Sequence, residues 1–440
     1  MVSLYVEVII DQCVILNMWN WKLSVKKIST DGLSIKSNMI WNSAGSTIYL
    51  ILQWFITILV VRLSTGYDAA GQLSYAMSFA SLFAPLALYK IRAYQVSDVK
   101  HKYSSGEYIG FRIVTIAFSF ALVFLYALVV ASFSALPAIA FFLLVKAVEV
   151  FIDVLHGVDQ LNNRMDYIGQ SFILRGILSF LSFCIVLYFS NSVALAILSM
   201  FVVTLPIAVF FDWKIAERFE SLKPIINLRV IKSLTEICLP SVLALFFCTA
   251  VVALPRQYLA YMLGDVPLGV YASVSNPLLI IQMGATYLYL PFIVSLSNLY
   301  HDERITEFIR LLRKIFFGIL CLAAGLSLLF LFFGKSALVF LYGESISSSM
   351  YLMFPLLLGI ILAACVWFLS DVLILIRSLK GNLLSNLIGF LAMIPLTVLL
   401  VFHFDLNGAS FAIISAYSIV LLIQFVYLVR SIRLGLEHEH

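Results

Sequence analysis

Twelve apolar runs of about 20 residues divide this chain, and that is the length a helix needs to cross the hydrocarbon core of a bilayer. They fall roughly at 40–61, 69–89, 113–133, 136–156, 168–189, 193–211, 234–255, 268–295, 315–333, 350–376, 383–402 and 409–429. With 62% hydrophobic and 12% charged residues, the chain has too little polar surface to cover a soluble globule of 440 residues. In lipid each segment must satisfy its own backbone hydrogen bonds, so the sequence predicts an all-α polytopic membrane protein of about 12 transmembrane helices. The longer runs must tilt, kink or extend out of the membrane.

Charge supplies the topology. Of the 28 Lys and Arg, 23 fall on one set of alternating loops and termini. Only Arg62, Arg256 and Lys335 fall on the other set, and Lys146 and Arg175 lie inside apolar runs. This is the positive-inside pattern, and it places both termini in the cytoplasm. Arg92 and Arg112 are read here as cytoplasmic loop residues. The formal net charge of +5 sits on those same loops, so it carries no inference toward nucleic acid.

Residues 1–37 stand apart. Met1 to Leu16 is apolar but short, contains Glu7 and Asp11, and lacks the basic leader and small-residue cleavage site of a signal peptide. The segment is read as a cytoplasmic or interfacial extension, with Met18 as an alternative start. Residues 434–440 form a cytoplasmic tail. The six cysteines and six histidines show no metal-ligand or disulfide spacing, and no catalytic constellation emerges, so no cofactor is expected.

The two halves echo each other. Gly66 and Gly71 enclose four residues before the second span, and Gly264 and Gly269 do the same before the eighth. Tyr75-Ala76 follows the first pair and Tyr271-Ala272 the second. Asp153-Val154-Leu155 likewise corresponds to Asp371-Val372-Leu373. The expected division is an N-lobe at 38–211, a cytoplasmic linker at 212–233 and a C-lobe at 234–433. An even number of spans per lobe relates the lobes by an axis along the membrane normal, the arrangement of transporters that rock about a central cavity.

Polar groups inside spans mark what lines such a cavity. Asn38, Asn42, Ser46, Tyr49, Gln53 and Thr57 follow one another at helical spacing on the first span, predicting a wet face. Lys146, Glu149, Asp153 and His156 share one face of the fourth span, each ionisable group costing about 2.5–3.5 kcal/mol at a helix centre. Arg175, Glu236 and Asp371 add to the set. Two readings of this ribbon stay open: cations for an anionic substrate with carboxylates for a coupling ion, or charges that neutralise one another and pin helices together. Pro85, Pro206, Pro240, Pro255, Pro277 and Pro291 predict kinks.

Three stretches carry a family resemblance. They are Arg62-Leu-Ser-Thr-Gly66 with Lys90-Ile-Arg92-Ala-Tyr94-Gln95-Val-Ser97-Asp98, Tyr108 and Arg112; then Gly157-Val-Asp-Gln160 through Asp166-Tyr167-Ile-Gly169 and Arg175-Gly176; and Pro255-Arg256, Gly269-Val-Tyr271-Ala272 and Leu341-Tyr342-Gly343. Over roughly residues 37–433 the chain resembles Wzx-type polysaccharide flippases. That resemblance implies the multidrug/oligosaccharidyl-lipid/polysaccharide exporter fold, two six-helix lobes around a central cavity, in a bacterial plasma membrane. It also implies translocation of an undecaprenyl-pyrophosphate-linked oligosaccharide, without covalent chemistry, alongside polysaccharide polymerase and chain-length proteins. Arg175 is the first candidate for phosphate contact, with Lys146, Arg62, Arg256, Asn42 and Gln53 as further substrate contacts. Glu149, Asp153, Asp371 and Glu236 are candidates for ion coupling. An ion-coupled drug or cation antiporter of the same superfamily is the alternative. A polysaccharide polymerase fits less well, because the longest outside loop is about 15 residues.

Overall fold

The computed structural model describes residues 32–437, apart from 65 and 99–101, with side chains to residue 433. The expected extension at 1–37 lies almost wholly outside the described residues, as do Cys13, Lys100 and the end of the tail. Among the described residues every regular element is helical.

The first half begins with α1 (Ile35–Leu63), whose start is capped when the Ser34 hydroxyl accepts from the Ser37 amide at 3.3 Å. Next come α2 (Tyr67–Leu88), the short α3 (Ile91–Ser97), α4 (Ser105–Val130), α5 (Leu136–Leu161), α6 (Met165–Ser190) and α7 (Val193–Ile207). Ser104 and Glu107 close a reciprocal capping box on α4. Pro206 precedes a single π turn, Ala208–Asp212, through which α7 continues to Ala216. Between α2 and α3, Tyr89 and Lys90 are both left-handed (φ 49° and 52°), so the chain turns sharply there.

The second half contains α8 (Leu228–Leu263), α9 (Asp265–Tyr289), α10 (Ile293–His301), α11 (Ile305–Tyr342) and α12 (Met353–Leu375). A last stretch, Leu379–Glu437, breaks at Asp405 (φ 47°, ψ −126°) into α13 (379–404) and α14 (406–437). The two arms are antiparallel neighbours: Gly381 lies against Tyr427, Gly389 against Val420, and Gly408 against Leu400, pairs whose numbers sum to nearly the same value.

Among the described residues, nine helical stretches are long and apolar enough to cross a membrane, and the last of them, 379–433, holds both α13 and α14. The expected second and fourth spans, α2 and α5, are absent from that set for a physical reason. Helix α2 is buried on nearly every side, with Ala76, Phe79, Phe83 and Ala87 inaccessible, so it needs no lipid-facing apolar surface. Helix α5 carries Lys146, Glu149 and Asp153. The outward faces of the other helices present Phe118, Leu125, Phe189, Phe332, Phe340, Phe402 and Phe425, the side chains that lipid would solvate.

Small residues set the closest approaches. Helix α1 packs on α6 where Gly45 meets Gly169 backbone to backbone. The repeated glycines of the sequence meet each other. A Cβ on Gly71 would collide with the carbonyl oxygen of Asp265, and one on Gly269 with the carbonyl oxygen of Tyr67. Each glycine of the pair thus touches the residue four before the other, a reciprocal crossing of α2 and α9.

The helices run further than the apolar runs suggested, which places several residues expected in loops within helices, Arg62 in α1 and Arg92 in α3 among them. Arg112, expected in a cytoplasmic loop, lies in α4 and is 0% exposed. Arg256 and Lys335, expected in outer loops, lie within α8 and α11. Helices of 36 and 38 residues exceed the hydrocarbon thickness, so charged residues can belong to a helix without belonging to its lipid-facing centre.

Candidate functional site

The charged face of α5 is divided among four neighbours. At Glu149, one carboxylate oxygen accepts from the Tyr49 hydroxyl of α1 at 2.6 Å, and the other accepts from Lys146 Nζ at 2.8 Å. One turn further on, Asp153 pairs with Arg112 of α4 at 2.8 Å and with Arg92 of α3 at 3.4 Å. Arg112 also donates to the Ala87 and Leu88 carbonyls at 2.9 and 2.6 Å, closing the end of α2. In the last turns, His156 Nε2 lies 3.2 Å from an Asp212 carboxylate oxygen beside the π turn. Sequence spacing placed the four α5 residues on one face; the structure assigns each carboxylate or imidazole a different partner.

Arg175, on α6, completes the first of these groups. Its guanidinium carbon lies 5.5 Å from the Tyr49 ring centre and 5.0 Å from that of Phe172, and the residue is 3% exposed. Among the described residues it forms no ion pair. A desolvated cation over aromatic faces is held by about 2 kcal/mol or more, and its donors stay available. Lys146 and Glu149 keep 27% and 17% of their side chains accessible, so water reaches the group from one side. Phe172 was missed by the sequence reading, although its place three residues before Arg175 on a helix was the signal to use.

The polar stripe of α1 faces α5 and α6. Asn38 donates to the Leu33 and Asn163 carbonyls and accepts from the Met165 amide at 2.7 Å, pinning α1 to the turn before α6. Gln53 donates to Ser179 at 3.2 Å, and Asn42 is half-buried on the same face. Gln53, Tyr49, Glu149, Lys146 and Arg175 are therefore brought together on three adjoining helices.

The remaining candidates lie elsewhere. Arg62 donates to the Leu341 and Phe340 carbonyls at 2.7 and 2.6 Å, so it caps the C-terminal end of α11. Arg256 is half-buried in α8 and donates to Ser275 at 3.2 Å, lining a small cavity of about 60 Å³ with Tyr271, Gln282, Ser410 and Tyr417. Asp371 accepts from the Tyr289 hydroxyl at 2.8 Å, within electrostatic reach of Lys90. Glu236 is exposed near the start of α8, 3.9 Å from Lys232. Among the described residues, no group of His, Cys, Asp and Glu is arranged to hold a metal.

Known proteins sharpen this picture. No family model matches the chain. The capsular polysaccharide biosynthesis protein CapF of Staphylococcus aureus is 26% identical over 389 residues, spanning 87% of this chain and 96% of that protein. An inward-facing multidrug resistance MATE family transporter of the MOP superfamily superposes with a TM-score of 0.69, at 11% identity, over 90% of this chain and 99% of its own. The fold is that of the MOP superfamily. The lipid II flippase MurJ, in an inward closed conformation, shares the MOP fold with a TM-score of 0.69 at 11% identity over 89% of each chain. A MOP superfamily transporter from Pyrococcus furiosus, whose binding pocket is described as reversed in polarity, superposes at 0.61 and 13% identity over 90% of this chain. A multi-pass membrane protein with the MOP fold is thus established, and its interior polar groups acquire the meaning that membrane burial gives them.

Proposed function

We propose that this protein is a lipid-linked oligosaccharide flippase, moving undecaprenyl-pyrophosphate-linked repeat units from the cytoplasmic to the outer leaflet by alternating access. In this reading the lobes are 38–211 and 234–433, joined by the linker 212–233. The basic loops and both termini face the cytoplasm of a bacterial cell. The observation that carries it is Arg175: a buried guanidinium held by the Tyr49 and Phe172 rings instead of a carboxylate, with Lys146 on the neighbouring helix. Glu149 lies within electrostatic reach of Arg175, but its oxygens are bonded to Lys146 and Tyr49, so the guanidinium's donors are left for an anion that visits it. A pyrophosphate presents acceptor oxygens to which a guanidinium can donate in pairs.

The capsular relative and the flippase with the same fold support this choice of cargo. Glu149 supplies the coupling step, because it holds both Lys146 and the Tyr49 hydroxyl. A proton or cation on Glu149 releases Lys146 toward the pyrophosphate, and loss of that ion draws it back. Polysaccharide polymerase and chain-length proteins are the proposed partners that receive the flipped unit.

The test is to delete the gene and locate the lipid-linked oligosaccharide with a membrane-impermeant glycan label, on intact cells and on inverted vesicles. Accumulation facing the cytoplasm, with surface polysaccharide lost, is expected. Normal surface polysaccharide would sink the flippase reading and favour a small cationic cargo.

A further inference from the structure

The last turns of α5 bury titratable side chains that their surroundings do not fully answer. His156, Asp159 and Asp212 are 1%, 1% and 2% exposed. His156 and Asp159 are three residues apart and share a face of α5. Asp212 closes the π turn after α7, and one of its carboxylate oxygens lies 3.2 Å from His156 Nε2. Single π turns of this kind recur at functional sites. The other Asp212 oxygen and one oxygen of Asp159 are buried without a partner, and the two carboxylates are within electrostatic reach of each other.

The neighbouring cations are engaged elsewhere. Arg92 of α3 and Arg112 of α4 pair with Asp153, and Arg92 also donates to Gln160 at 3.0 Å. Arg164, just before α6, pairs through two nitrogens with Asp166 at 2.9 and 2.8 Å and lies over the Tyr167 ring. Arg92 and Arg164 act on Asp159 through space, and among the described residues no ion pair joins either to it. Lys214 is exposed and bonds Glu217, Arg218 is exposed beyond it, and Lys146 answers Glu149 two turns back. Asp153, Asp159, Asp166 and Asp212 thus face Arg92, Arg112 and Arg164, and the group is one positive charge short. A buried carboxylate left ionised and unpaired is unfavourable, and a proton relieves it. Three inaccessible side chains leave no room for a hydrated ion or a molecule; a proton needs none.

The candidate anion site stands one ring away. The His156 and Phe172 rings meet with centres 5.5 Å apart, and the Arg175 guanidinium carbon lies 5.0 Å from the centre of the same Phe172 ring. Arg175 is within electrostatic reach of His156. Without an anion, its charge offsets part of the shortfall and opposes a proton on the imidazole. A pyrophosphate on Arg175 cancels that charge and leaves the shortfall to be met.

Resting on the flippase reading, we propose that His156, Asp159 and Asp212 form a proton site that fills when an anion occupies Arg175. One O–H or N–H bond forms, at an aspartate oxygen or at the imidazole, and the proton comes from solution at the end of α5 that carries the basic loops. Linkage is reciprocal, so the cargo binds more tightly as pH falls.

Calorimetric titration of the full chain in lipid nanodiscs tests this, with undecaprenyl-pyrophosphate-linked N-acetylglucosamine, a diester whose phosphates do not titrate near neutral pH. Repeating it in buffers of different ionisation heat counts the protons. Uptake of a sizeable fraction of one proton per bound lipid is expected near neutral pH, with affinity several-fold higher in mildly acidic than in mildly alkaline buffer. Asp159→Asn and Asp212→Asn should each still bind the lipid but lose the uptake and the pH dependence. Binding without uptake in the parent would overturn the proposal whether or not a variant folds, as would uptake unchanged in both variants. Inorganic pyrophosphate separates the two readings. Should it bind with an uptake that Asp159→Asn removes, while the lipid-linked sugar does not bind, the flippase reading falls and the proton site stands; binding of neither removes both.

Discussion

A Cβ placed on Gly269 would lie 2.9 Å from the Gly71 amide nitrogen, so these two glycines allow α2 and α9 to cross backbone to backbone. Gly71→Ala or Gly269→Ala should push the helices apart at this end. The expected outcome is faster modification of a cysteine placed at the buried Ser273 by a water-soluble maleimide, by about tenfold. Gly66→Ala is the control: its backbone is extended and the nearest neighbour to an added Cβ, an Asp68 oxygen, is 3.6 Å away. Equal labelling rates in all three would show that the crossing tolerates a methyl group.

Arg175→Ala and Lys146→Ala should each abolish flipping while membrane insertion stays normal. Arg175→Lys keeps the charge but loses the planar group that lies over Tyr49 and Phe172, and should retain only a small part of the activity. Unchanged flipping in both alanine variants would remove these residues from the substrate site.

Asp153→Asn strips the carboxylate from Arg112, which is fully buried, and should cost about 3–5 kcal/mol in a thermal or denaturant series in detergent. Replacing Arg112 by Met in the same chain should recover part of that loss. A variant as stable as the parent yet inactive would instead place Asp153 in ion coupling, as the sequence reading has it.

Orientation is tested by single cysteines on a background without native cysteine. Ser132→Cys and Ser345→Cys should react with an impermeant maleimide on intact cells, and Ser221→Cys only after the membrane is opened. Ser132 and Ser345 reacting from opposite sides would break the twelve-span topology.

The spans were legible because apolar length is a property of single segments, and α13 and α14 could be separated around Asp405 from hydropathy alone. Arg112 and Arg256 were misplaced for a related reason. A charge near the end of an apolar run resembles a loop residue until the tertiary fold shows that its helix continues and that carbonyls or hydroxyls await it. For the candidate site, spacing grouped Lys146, Glu149, Asp153 and His156 correctly along α5, yet partners depend on which helices stand beside it. Tyr49 lies 100 residues from Glu149, and Arg112 lies 41 residues from Asp153. Such pairings leave no periodicity in one chain.

Helix α5 bonds to α1 through Glu149, to α3 and α4 through Asp153, and to the π turn after α7 through His156. Successive residues of a helix are about 100° apart, so turning α5 by a single residue about its own axis would withdraw all three connections together. No small adjustment of one of them is independent of the others. The first half of the chain is in this respect more like a gear fixed to its shaft than a bundle of sliding rods, and a cargo that displaces Lys146 must move the whole gear or nothing.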